Sequence, residues 1–388
     1  MGFVQTRRQA KLGTRALAVV LSVLLGFASA YGEGAEKGDG IGKPLYTVQP
    51  LRALPYTGSV IRTATPRIST VPTWSNRFTF KLPNGSVQQF PYTMVGTSPF
   101  AGSATTSIPV EIIPISLTFS NGVTLDGTTQ VVNTVASPIF TPFASQAGFT
   151  QFGDAMQRAS FYSVVSEKSP DWHVLLKQPV VLPTQNLVVP SDSGIQITGS
   201  VTGKPIGLVD IKWFSAQLQN LLTSLGPAPH SLPIFLTYNS FLFFNNPSNC
   251  CVLGFHSALA SAGPDNTENI NTFIWASHSD PNIFGAPLQD ITALSHEVAE
   301  WYSDPLVNNA IPAWPQPGSS ACFSNILEVG DAIQNHPNLS FKVILNGAEY
   351  HPQDVAFFSW FARQVPSIGL RGRYSYRGDK FSGPAPGC

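Results

Sequence analysis

The stretch Leu294-Ser295-His296-Glu297-Val298-Ala299-Glu300-Trp301-Tyr302-Ser303-Asp304-Pro305 carries residue types and spacings that point to chemistry as well as to a helix. On an α-helix, positions i and i+4 lie one turn apart on one face, so His296 and Glu300 approach a common point. Glu297 stands beside them. Taking about 100° per residue, Ile291, Leu294, Val298, Trp301 and Tyr302 form one apolar face, and His296, Glu297, Glu300 and Asp304 fall opposite. Asp290 suits the N-cap, its carboxylate accepting a first-turn amide. Pro305 disfavours helical geometry at Asp304 and ends the element there.

Two readings of the polar stripe compete. A solvated face is one, weakened because no Lys or Arg accompanies its like charges. A metal site is the other, with His296 and Glu300 as ligands and Glu297 as the base for a water on the ion. The pattern H-E-x-x-E replaces one imidazole of the zinc-peptidase H-E-x-x-H with a carboxylate. That makes the ion a weaker Lewis acid and admits manganese or calcium as well as zinc, the expected metal. For a third ligand the order of preference is Glu328, Asp331, then Asp304. Against them stand ordinary turn carboxylates around Gly330 and, for Asp304, an Asx turn onto the following amides. His256 and His278, on strands expected to approach the helix, are candidate substrate or oxyanion contacts; the plainer reading is hydrogen-bonded structural histidines.

Ahead of this region, residues 1–30 have the parts of a secretory signal: Arg7, Arg8, Lys11 and Arg15, an apolar run from Ala16 to Phe27, and Ala28-Ser29-Ala30 as the cleavage site. An N-terminal membrane anchor is the alternative. The rest of the chain is expected to be exported, with no membrane span after cleavage. Hydrophobic residues make up 43% and charged residues 11% of the chain, a composition that builds a core rather than a disordered segment. Formal net charge is zero, with 22 basic and 22 acidic residues, so nucleic acid is not an expected partner. No G-x-S-x-G elbow, P-loop or dinucleotide fingerprint is present.

An even count of four cysteines in an exported chain favours disulfides. The preferred pairing ties Cys250 and Cys251 to Cys322 and Cys388, because a bridge between adjacent cysteines is geometrically demanding. A four-thiolate zinc site is the rival, without the usual C-x-x-C knuckles.

The expected fold is α+β, a β-rich N-terminal part followed by a zincin-like mixed part. Residues 31–56 read as a flexible lead-in. Residues 57–205 read as short strands and turns, such as Arg77 to Lys81 before Pro83-Asn84-Gly85, with a helical insertion around Gly153 to Val164. Residues 206–388 give a helix over Asp210 to Leu222, strands over Leu232 to Phe244 and Asn271 to Ala276, and then the motif helix. That order resembles the upper lobe of zincins, by analogy of fold only. Beyond it come a loop-rich stretch to Pro317, a strand near Phe341 to Leu345, a helix from Gln353 to Arg363 and a last hairpin to Cys388.

Over residues 245–388 the chain resembles a group of secreted bacterial proteins of unassigned activity. It is distantly similar to the plant Exordium, or phosphate-induced, family. The segments that carry the likeness are Cys251-Val252-Leu253-Gly254-Phe255-His256, Ser295 to Glu300, Asp304-Pro305-Leu306-Val307-Asn308, Ala313-Trp314 and Glu328-Val329-Gly330-Asp331. The resemblance implies an extracellular or wall-associated protein with a histidine-glutamate helix paired to a later acidic segment. The plant pattern often has asparagine at the place of Asp304, which lowers that residue as a ligand. The leading expectation is a secreted metal-dependent hydrolase, a peptidase acting on peptide or cell-wall substrate. The alternative is a non-catalytic secreted or wall-associated protein with a structural or vestigial metal site.

Overall fold

Strands from both sides of residue 205 meet in one sheet. Its principal path runs Gln49–Ala53, Gly254–Ala262, Thr267–His278, Leu232–Tyr238, Val110–Thr118, Val180–Val181. This computed structural model describes residues 38–39, 41–42, 44–47, 49–53, 67–82, 85–285, 288–316, 319 and 321–388. The expected leader at 1–30 lies outside them. Val110–Thr118 and Thr267–His278 flank Leu232–Tyr238 in parallel, with Ile112 and Ile274 opposite Ile234. Gly254–Ala262 runs antiparallel to Thr267–His278, and Asp265 and Asn266 take the positive φ of the connecting turn, which Asp and Asn tolerate.

Both faces of the central strands are covered, which explains their nearly unbroken apolar sequence. Phe235, Phe255, Phe273 and Trp275 pack on Phe214 and Leu218 of the Ile211–Leu225 helix. On the other face Ile234, Leu236, Ile274 and Ala276 share a core with Leu294, Val298 and Trp301 of the motif helix, Thr292–Ser303. The fold is therefore mixed α+β with a β-rich N-terminal region, as expected. The hairpin Thr73–Lys81 and Val87–Val95 and the helix Phe152–Ser160 also stand where the sequence places them.

Several expectations need correction. Residue 205 is not a boundary between separate bodies, because strands before and after it share ladder hydrogen bonds and the described residues belong to one compact unit. The lead-in is not wholly free chain: Leu45 N donates to Cys251 O, Leu253 N donates to Leu45 O, and Gln49–Ala53 pairs in parallel with Gly254–Ala262. The stretch after the motif holds an antiparallel pair, Ala310–Pro315 with Cys322–Ile326. The helix expected over 353–363 shrinks to Phe358–Phe361, since the amides of Asp354, Ala356 and Phe357 go to the carbonyls of Leu339, Val329 and Tyr374. In place of a last hairpin, the chain after Phe361 has only a short 3-10 turn at Leu370–Gly372 among irregular segments.

The cysteines pair differently from the preferred reading, as Cys250 with Cys251 and Cys322 with Cys388. Cys250 and Cys251 are buried in a strand against the core, whereas Cys322 sits exposed on the Ala310–Ile326 hairpin, where the C-terminus reaches it. The fold keeps the two sets apart.

Candidate metal centre

The motif helix lies on the Gly254–Ala262 and Thr267–His278 strands and against the Phe152–Ser160 helix. Its residues Thr292 to Tyr302 are all buried, so the solvated-face reading fails. Trp301 Nε1 donates to Thr272 Oγ1 at 2.9 Å and Tyr302 Oη donates to Val174 O at 3.0 Å, fixing the rotation of the helix. Each large apolar side chain of that face contributes about 1.5–3 kcal/mol on burial, which offsets the cost of enclosing the polar stripe. Asp290 is not the cap. Its carboxylate holds the amide and Nδ1 of His351 instead, and the helix starts without a side-chain cap.

Three approaches close the stripe. Alternation along the Gly254–Ala262 strand sends Phe255 into the far core and His256 towards the helix. Gly254 beside it has no room for a side chain: a Cβ there would lie 2.8 Å from Glu297 Cγ. The turn after Leu327 comes equally close, a Cβ on Gly330 falling 2.5 Å from His296 Nδ1. Gly330 N and Asp331 N both donate to Glu300 Oε1, at 3.0 and 3.1 Å. From the N-terminal side, the Tyr46 ring stacks on His296 with centroids 3.5 Å apart and 12° between planes.

Gln353 sets the histidine tautomer. Its Nε2 donates to Gly330 O at 2.9 Å, leaving Oε1 as acceptor 3.1 Å from His296 Nδ1. His296 Nδ1 therefore carries a hydrogen, and its Nε2 faces Glu300 Oε1 at 3.2 Å and Asp331 Oδ1 at 3.6 Å; burial would lower the imidazole's pKa, but these two carboxylates raise it above its ordinary value. His256 is ordered in the same way. Its Nε2 donates to the carbonyl of Asp304 at 3.2 Å, and Nδ1 faces Glu297 Oε2 at 3.3 Å and Glu300 Oε2 at 3.7 Å. Two sets of three ligand-type atoms result, each lying within 4.8 Å of one another: His296, Glu300 and Asp331, and His256, Glu300 and Glu328. A tetrahedral ion with bonds of about 2.0–2.1 Å separates its donors by about 3.3 Å, close to these spacings. These buried groups could hold a metal ion.

Burial and mutual repulsion dominate the electrostatics. Burial, then the charges of Glu300 and Asp331, push Glu297 well above the usual carboxylate range; burial and Glu300 do the same to Glu328. Burial and Glu300 raise Asp331 to about 8. Glu300 is the exception: burial would raise it, but the facing imidazoles of His296 and His256 hold it at about 2. His296 Nε2, Glu297 Oε1, Glu328 Oε1 and Asp331 Oδ1 are buried without a hydrogen-bond partner. A cation is the partner that would satisfy all four.

The sequence-predicted residues sort as follows. His296, Glu297 and Glu300 converge. Asp331, ranked below Glu328, is the carboxylate that joins His296 and Glu300, because Gly330 and Asp331 wrap the Glu300 head; Glu328 falls with His256 instead. Asp304 holds the following loop, accepting from Asn308 N at 3.0 Å and Asn309 N at 2.9 Å, four and five residues on rather than two as in an Asx turn, and is in neither triad. His278 also lies in neither triad, and the charged group acting on it is Asp280. His256 sits inside the cluster as a ligand-type residue. Tyr46 and Gln353 were missed. A short β-forming run, Leu45-Tyr46-Thr47-Val48 between Pro44 and Pro50, was the available signal for the first; nothing local marks the second. No protein-family model, curated protein or solved structure matches the chain.

Proposed function

We propose that this is an exported metal-dependent hydrolase, a peptidase in the first instance, with His296, Glu300 and Asp331 as ligands and Glu297 as base. What carries the reading is the Nε2 of His296, buried and without a hydrogen-bond partner between two carboxylate oxygens. Three protein ligands leave one position of a tetrahedral zinc site for water or substrate, as in catalytic rather than structural sites. When bound, the ion supplies Lewis acidity and makes water a better nucleophile near neutral pH. Glu297, its Oε1 unpartnered, accepts a proton from the attacking water as the water oxygen bonds to the carbonyl carbon. It returns that proton to the amine as the C–N bond breaks. Zinc is the first choice of ion and manganese the second, given the oxygen-rich set. Export is supported by the leader pattern and by two disulfides.

Enclosure favours a second reading, a non-catalytic exported or wall-associated protein whose ion stabilises the fold. His296 and Glu297 are 0% and Asp331 4% exposed, and structural sites are closed. Two measurements decide. Metal content of protein purified without added metal should fall in His296→Ala; unchanged content removes the site. Hydrolysis of a peptide library should vanish in Glu297→Gln while metal is retained; a wild-type protein that binds metal yet cleaves nothing supports the stabilising role.

A further inference from the structure

Glu300 belongs to both triads, and its two oxygens face different imidazoles. Oε1 lies 3.2 Å from His296 Nε2, and Oε2 lies 3.7 Å from His256 Nδ1. We propose that the cluster is a binuclear centre in which Glu300 bridges two divalent cations, one on His296 and Asp331 and the other on His256 and Glu328. This rests on the reading of the first triad given above and adds a second ion with ligands of its own.

The second triad has independent support. A carbonyl only accepts, so the contact from His256 Nε2 to Asp304 O fixes the hydrogen on Nε2 and leaves Nδ1 as a lone pair. That lone pair is aimed at Glu297 Oε2 and Glu300 Oε2, and with both carboxylates ionised these acceptors require something positive between them. Glu328 Oε1 and Glu297 Oε1 are buried and unpartnered, as His296 Nε2 and Asp331 Oδ1 are in the first triad. Each half therefore has open donor atoms that the other half does not fill.

Charge points the same way. Glu297, Glu300, Glu328 and Asp331 bring four carboxylates into one enclosed volume, and among the described residues no Lys or Arg forms an ion pair with any of them. When metal binding ionises all four, one divalent ion leaves half of that charge uncompensated in a poorly solvating interior; two balance it. Carboxylate-bridged pairs hold their ions about 3.5–4 Å apart and act on attacking and leaving oxygens together. The mixed nitrogen and oxygen donors suit first-row divalent cations such as Mn²⁺ and Zn²⁺.

The test uses the full chain, stripped with chelator, reloaded with Mn²⁺ and freed of excess. Elemental analysis should find two manganese ions per chain, and low-temperature electron paramagnetic resonance should show an exchange-coupled pair. His256→Ala and His296→Ala should each keep one ion with the spectrum of isolated Mn²⁺, and Glu300→Ala should keep neither pair nor coupling. One ion per wild-type chain without coupling overturns the second site and leaves the first standing. No ion at all overturns both, and two ions retained in His256→Ala overturn the assignment of ligands. Should the variants fail to fold by circular dichroism, wild-type stoichiometry and coupling still decide.

Discussion

The side-chain amide of Gln353 fixes which nitrogen of His296 faces the carboxylates. With Nε2 given to Gly330 O, Oε1 is the atom 3.1 Å from His296 Nδ1, so Nε2 is left to face Glu300 and Asp331. The backbone of Gln353 is itself held, its N–H donating to Ser295 Oγ one residue before the histidine. Such outer partners of ligating histidines are worth about 10–100-fold in metal affinity. Gln353→Leu is expected to lose affinity by that factor in chelator competition, whereas Gln353→Glu, which keeps an oxygen before Nδ1, should lose less. Equal affinity in the leucine variant and the parent would remove Gln353 from the site.

Bound metal should offset a pH dependence of stability that the metal-free protein shows. Asp331 rises from 3.8 to about 8, and Glu297 and Glu328 are raised well above the usual carboxylate range, on burial and neighbouring charge. A raised folded-state pKa gives stability that is full below the unfolded value and lost as pH climbs towards the folded one. His256 and His278, lowered to about 4 by burial, act the other way, but only below about 6.5, where the unfolded chain gains protons. Between pH 6.5 and 8 the metal-free protein should therefore lose stability, by about 1.4 kcal/mol per pH unit for each proton involved. Metal takes the ionised ligands, so its stabilisation grows over the same interval. Thermal melts with chelator and with added Zn²⁺ read this directly; a melting temperature that rises from pH 6.5 to 8 in chelator contradicts it.

Tyr46 covers the site from a segment that the sequence presents as lead-in. Its ring stacks on His296 and its hydroxyl is buried without a hydrogen-bond partner, raised by burial and by Glu297, Asp331 and Glu300. Tyr46→Ala should speed chelator-driven metal release roughly tenfold, the equivalent of about 1.4 kcal/mol of lost ring contact. Tyr46→Phe keeps the ring and deletes an unsatisfied hydroxyl, so its release rate should match the parent, with stability unchanged or up to about 1 kcal/mol higher. Release as fast in Phe as in Ala would make the hydroxyl, not the ring, the group that matters.

How much of this was legible follows from the range of each signal. The motif helix and its two faces are local periodicity, and His296, Glu297 and Glu300 lie buried on that helix. The central strands were readable because burial on both faces leaves them nearly all apolar. The choice between Glu328 and Asp331 was not readable: it depends on Gly330 lying against His296 so that the next amide caps Glu300, a contact across 31 residues. His256 looked like a peripheral histidine because strand alternation gives its face but not what is packed over that face. The helix expected after Gln353 failed because its amides go to tertiary partners, which outweigh local propensity.

The disulfide arrangement gives the last prediction, since separate pairs differ in what they constrain. Cys322 and Cys388 close a separation of 66 residues, and in the chain-entropy account a loop of that size is worth about 4 kcal/mol. Cys250 and Cys251 are adjacent and close no loop of comparable size, so that account assigns them little. Cys322→Ser should lower denaturant stability by up to about 4 kcal/mol. A non-reducing digest should yield a cross-linked peptide pair containing Cys322 and Cys388, and a single peptide holding both Cys250 and Cys251 that gains two hydrogens on reduction. A cross-link from Cys250 or Cys251 to either distant cysteine would restore the pairing expected from sequence. A link to Cys322 would also place the buried Cys250–Val252 strand beside the Cys322–Ile326 strand, although the two belong to different sheets.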